Sequence, residues 1–116
     1  MNTLEKEFVP YEQALALKEL GFDEPCFGWY ASDKSLIKDY VIKMNLKAPT
    51  FSQAFRWFRE RYGLFYYVTT HDSTDFEWYV YDKDQNEWED DTTQNTYEEA
   101  ELACLKKLIE IANEQK

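Results

Sequence analysis

A chain of 116 residues that includes four Trp, nine Tyr and eight Phe is long and apolar enough to bury one core, and too aromatic to stay unfolded. Its net charge of −10 falls entirely in residues 72–116, with fourteen acidic and four basic side chains, whereas 1–71 hold nine of each and 34–61 reach +5. Two cysteines, Cys26 and Cys104, and one histidine, His71, are too few for a Cys/His zinc site, and no apolar run is long enough to span a membrane.

The first predicted element is a helix from about Pro10 to Leu20. Proline suits a first helical position, where no N–H is needed. Gly21 suits a left-handed stop, with Phe22 folding back on Leu17. Ala14, Leu17 and Leu20 share one side, so this helix is docked. "DEPCFGWYAS" then breaks the helix, and "CFGWY" reads as an extended segment kinked at glycine. "SLIKDYVIKMNL" fits one or two strands or a short helix.

The second helix is "APTFSQAFRWFRERYG". Thr50 and Gln53 form a capping box and Gly63 is the stop. At about 100° per residue, Phe51, Ala54, Phe55, Phe58 and Tyr62 fall on one stripe, flanked by Arg56 and Arg59 on one side and Arg61 on the other. Next come "LFYYVTT" and "FEWYVYD", a hairpin joined by "HDSTD". Phe76, Trp78 and Val80 are its expected core face. The second face carries Phe65, Tyr67, Tyr79 and Tyr81, and a covering helix is expected there; left uncovered, it would be a binding-site candidate. "NEWEDD" predicts a short third strand around Trp88. The last helix runs from about Tyr97 to Asn113, with a second capping box at Thr96 and Glu99. The order α-β-α-β-β-(β)-α predicts a single α+β domain over residues 1–116, three helices packed on a mainly antiparallel sheet.

Few residues suggest chemistry. No glycine-rich phosphate loop is present. Cys26, His71 and a nearby Asp72 or Asp75 are the parts of a cysteine nucleophile, but no signature surrounds them. Asp82, Asp84 and Asn86 open like a calcium loop, yet Glu87 stands where the glycine belongs and Thr93 where the bidentate glutamate belongs, so a solvated turn is expected. Trp57 lies about 120° from the stripe centre of its helix. Either another layer of the fold covers it, the reading favoured by how often Trp is largely buried, or it is exposed with Arg61 stacked on it and marks a partner contact, because Trp and Arg are enriched at binding hot spots.

The stretches "FVPYEQALALKELGFDEPCFGWY", "APTFSQAFRWFRERYGL" and "TYEEAELACLKKLIEI" together resemble, in that order, a family of small uncharacterised phage and prophage proteins from gut anaerobes. More loosely, the chain is similar to phage helix–sheet–helix sandwich domains. The resemblance implies an accessory protein acting in the bacterial cytoplasm. It supplies no catalytic residue and no cofactor. The N-terminal "MNTLEKEFVP" also lacks the apolar stretch of a secretory signal, which agrees with a cytoplasmic expectation.

The leading expectation is therefore a non-enzymatic protein that binds a macromolecular partner, a protein first, through Trp57, Arg56, Arg59 and Arg61. The second is a nucleic-acid role, either the basic segment 34–61 on phosphates or the acidic C-terminal part mimicking DNA. The third is a cysteine-dependent enzyme using Cys26. No cofactor, metal or membrane association is expected.

Overall fold

The structure is a computed structural model in which residues 5–37, 46–70 and 72–115 are described. The described residues form three α-helices and two three-stranded antiparallel sheets, an α+β fold. The strands divide into two sheets where the sequence pattern suggests one. The chain forms two compact units, Met1–Ala54 and Phe55–Lys116.

In the first unit, helix α1 (Tyr11–Leu20) begins one residue after the expected position. Pro10 stays extended at the N-cap, and its carbonyl accepts the Ala14 N–H at 2.9 Å. At the other end Gly21 takes φ +105°, a conformation that costs a side-chain-bearing residue dearly. Its N–H donates to Lys18 O and that of Phe22 to Leu17 O, the paired bonds of a Schellman stop. Strand β1 (Gly28–Tyr30) is central, with β2 (Leu36–Ile37) and β3 (Leu46–Ala48) antiparallel on either side. Tyr30 ties the sheet to the chain before α1. Its hydroxyl donates to the Val9 carbonyl at 2.6 Å, and its ring meets Tyr11 edge-on at 5.6 Å.

Gly28 is required here by space. A Cβ at this position would lie 2.9 Å from the Phe8 ring and 3.3 Å from the Leu36 side chain. Phe8 is buried and cannot swing away. Gly28→Ala is therefore expected to cost about 1–3 kcal/mol by overpacking. Urea unfolding of the two proteins measures this, and an unchanged midpoint would contradict the packing described.

Helix α2 (Phe51–Tyr62) starts with the expected box. The Gln53 N–H donates to Thr50 Oγ1 at 3.2 Å, and the Thr50 N–H returns to Gln53 Oε1 at 3.0 Å. The Gln53 amide also donates to the Pro25 carbonyl at 2.7 Å, so one side chain caps the helix and pins a loop.

The second unit holds the hairpin β4 (Leu64–Thr70) and β5 (Phe76–Asp82), the short strand β6 (Glu87–Glu89) and helix α3 (Tyr97–Glu114). The sheet order is β4-β5-β6, all antiparallel. Trp78 and Val80 are buried, as the alternation predicts, with Phe76 half-buried beside them. Helix α3 packs on this side through Ala100, Cys104, Leu105, Leu108 and Ile111. Its Thr96 hydroxyl accepts the Glu99 N–H at 3.1 Å. Tyr66, on the same side of β4, stacks flat on Phe55 at 3.8 Å between centroids.

Tyr66 gives the fold a measurable alkaline limit. Burial, and then the neighbouring Tyr97, Glu101 and Cys104, push its phenol up to about 12, with Arg59 opposing. An unfolded chain loses that proton near pH 10. Between these values the folded state holds the proton and the unfolded state does not, so stability present below pH 10 is lost as pH rises towards 12. The loss is expected to be about 1 kcal/mol, reduced from the full shift because solvent screens a half-buried ring. Tyr66→Phe should flatten that part of the pH profile of urea unfolding. Parallel profiles for the two proteins would remove Tyr66 as the cause.

Candidate interaction surface

Helix α2 divides sharply by exposure. Arg56, Arg59 and Arg61 all face solvent. Trp57, the centre of the expected contact surface, does not: it is only 6% exposed. Its indole packs edge-on against Phe58 and Tyr62, and the Arg61 guanidinium carbon lies 6.0 Å from the ring centroid. The favoured reading of a covered Trp57 therefore agrees with the structure, and the contact surface expected of Trp57, Arg56, Arg59 and Arg61 is corrected by the loss of its tryptophan. The helix buries a broader face than the single stripe, and Arg61 helps to cover the indole. Exposed arginine remains at Arg56, Arg59 and Arg61, but without an apolar anchor among them.

The basic segment 34–61 is partly spent. Lys34 pairs with Glu12 at 3.4 Å and lies over the Tyr11 ring, while Lys47 pairs with Asp23 at 2.9 Å. Lys38 and Lys43 fall outside the described residues. The segment does not present its charge as one unpaired stripe among the described residues.

The chemical candidates fare differently. Cys26 is half-buried, its thiol donates to the Glu24 carbonyl at 3.3 Å, and burial pushes it up to about 11 despite Lys47 nearby. That environment disfavours the thiolate a nucleophile needs at neutral pH. His71, its suggested base, lies outside the described residues. Cys104 is buried on the packed face of α3, and burial raises its thiol still further. In the turn after β5, Asp82 spends its oxygens on its own loop. Oδ1 accepts the N–H groups of Asp84 at 2.9 Å and Asn86 at 3.0 Å, and Oδ2 accepts the Asn86 amide. The Asn86 bond holds the Asp82 carboxyl below its ordinary range. This is a hairpin-closing aspartate, the solvated turn expected from the sequence.

The second face of the β4-β5-β6 sheet is where the structure departs most from expectation. The sequence pattern predicts a covering helix. Instead Tyr67 is 49% and Tyr81 40% exposed. Cross-strand register arranges the face in rows. Phe65 on β4 is opposite Tyr81 on β5, which is opposite Glu87 on β6. One step along, Tyr67 is opposite Tyr79, which is opposite Glu89. The ring pairs stack at 5.5 Å and 4.8 Å between centroids. Tyr79 is shielded in its row, and that shielding, with Glu77 charged and hydrogen-bonded beside it, raises its phenol above the ordinary value.

A shallow cavity of about 260 Å³ opens on these rows, lined by Tyr67, Tyr79, Tyr81, Glu87, Trp88 and Glu89. Glu87 and Glu89 are both exposed, and neither has a hydrogen-bond or ion-pair partner among the described residues. No family model, curated protein or solved structure matches the chain. The surface itself therefore carries the functional argument. Sequence reasoning finds the four aromatics but misses the two glutamates. Their signal is the alternation Glu-Trp-Glu, which becomes meaningful only once β6 is placed in register with β5.

Among the described residues no helix is long and apolar enough to cross a membrane.

Proposed function

We propose that this chain is a non-enzymatic accessory protein of the phage or prophage type, acting in the bacterial cytoplasm by binding another protein. The phage and cytoplasmic parts rest on the resemblance of its three sequence blocks. The binding part rests on one observation, the uncovered aromatic face of the β4-β5-β6 sheet. Four stacked rings held in register on a sheet, two of them substantially exposed, form a contiguous apolar patch of the kind that marks interaction sites. Tyrosine suits this role because it offers a large contact area with only two side-chain torsions to fix. The partner surface thus moves from Trp57 on α2 to Phe65, Tyr67, Tyr79 and Tyr81.

Affinity capture of the tagged protein from its host at low salt, with and without nuclease, tests this reading. A protein partner that survives nuclease is expected. Loss of all captured material on nuclease treatment would favour the alternative, in which Arg56, Arg59 and Arg61 contact phosphates.

A further inference from the structure

Resting on that reading, we propose that the partner segment is an extended strand with arginine or lysine at alternate positions. Each of the two rows on the open face has the same composition, two aromatic rings followed by a glutamate unpaired among the described residues: Phe65, Tyr81, Glu87 and then Tyr67, Tyr79, Glu89. A guanidinium or ammonium group is drawn to the face of an aromatic ring and to a carboxylate alike. A cationic side chain laid across one row meets both in turn, its stem on the rings and its head at the glutamate. The rows are two residues apart along the strands, about 6.6–6.8 Å. Alternate side chains of an extended peptide have that same spacing, so successive cations fall on successive rows.

Charge complementarity selects this occupant over others. No cationic side chain lines the cavity, and both lining carboxylates lack ion-pair partners among the described residues. The strands and turns around it are strongly acidic, with nine acidic side chains against one basic in residues 72–96. An acidic peptide or nucleic acid would meet like charge here, whereas a basic strand gains long-range attraction as well as the local contacts.

The test is titration by calorimetry and tryptophan fluorescence with two synthetic nine-residue peptides, one alternating arginine with serine and one alternating glutamine with serine. The arginine peptide is expected to bind the wild-type protein, more weakly as salt rises. Glu87→Gln with Glu89→Gln should weaken it by about tenfold or more, as should Tyr67→Thr with Tyr81→Thr. Glu98→Gln with Glu114→Gln, an equal change in net charge placed on α3, which packs on the other side of the sheet, should leave affinity within about twofold.

Equal weakening by the α3 pair would overturn the inference, because diffuse charge would then explain binding. Equal binding of the glutamine peptide would overturn it too, while leaving the aromatic face as a contact surface. If nuclease-resistant capture persists undiminished in the tyrosine double variant, the face reading fails and the inference falls with it.

Discussion

Trp57→Ala is expected to destabilise the protein by about 3–5 kcal/mol, the range for emptying a large aromatic site. The indole is 6% exposed and fills space against Phe58, itself fully buried, and Tyr62. Removing it leaves those rings without an edge partner and leaves the Arg61 guanidinium above a void. The neighbouring arginines provide the contrast. Arg56→Ala and Arg59→Ala change exposed positions and should stay within about 0.5 kcal/mol. Denaturant unfolding of the three variants separates the cases. A Trp57→Ala protein with an unchanged midpoint would show that the indole is a surface group after all.

The second large effect concerns binding. Tyr67→Thr with Tyr81→Thr is expected to keep the fold and to reduce partner capture by at least about tenfold, because truncating anchors of a contact surface typically removes most of its affinity. Threonine preserves strand propensity. The lost cross-strand ring contacts cost about 1–2 kcal/mol across two rows, less than a core deletion would. The Trp78 and Val80 side of the same sheet, with α3 against it, is untouched. Circular dichroism and the unfolding midpoint report on the fold, and capture reports on the face. Loss of folded signal in this variant would mean the tyrosines are structural.

Local chemistry makes much of this fold legible from the residues alone. Gly21 with Phe22, Thr50 with Gln53, and Thr96 with Glu99 each fix a helix end through bonds between residues at most three to five positions apart. The alternation in "FEWYVYD" marks the buried face of β5 for the same reason. The features that stay hidden depend on long-range placement. The helical wheel puts Trp57 off the apolar stripe, but its burial is a tertiary fact. Three helices in the sequence pattern suggest that both sheet faces are covered, and nothing in the sequence of α3 says that it covers only the Trp78 side. Pairing of β1 with β3, whose partners lie 16 to 20 residues on, in a sheet separate from β4-β5-β6, is likewise set by contacts distant in sequence. The Glu87 and Glu89 carboxylates look like turn-flanking charges protecting an edge until register places them at the ends of the tyrosine rows.

Two surfaces compete for the role of contact site, and one experiment distinguishes them directly. Nuclease-treated capture is measured side by side for wild-type protein, for Tyr67→Thr with Tyr81→Thr, and for Arg56→Ala with Arg59→Ala. A partner retained by the arginine variant and lost by the tyrosine variant is the expected result, placing binding on the open sheet face. A partner retained by the tyrosine variant and lost by the arginine variant would contradict it and return the contact to helix α2.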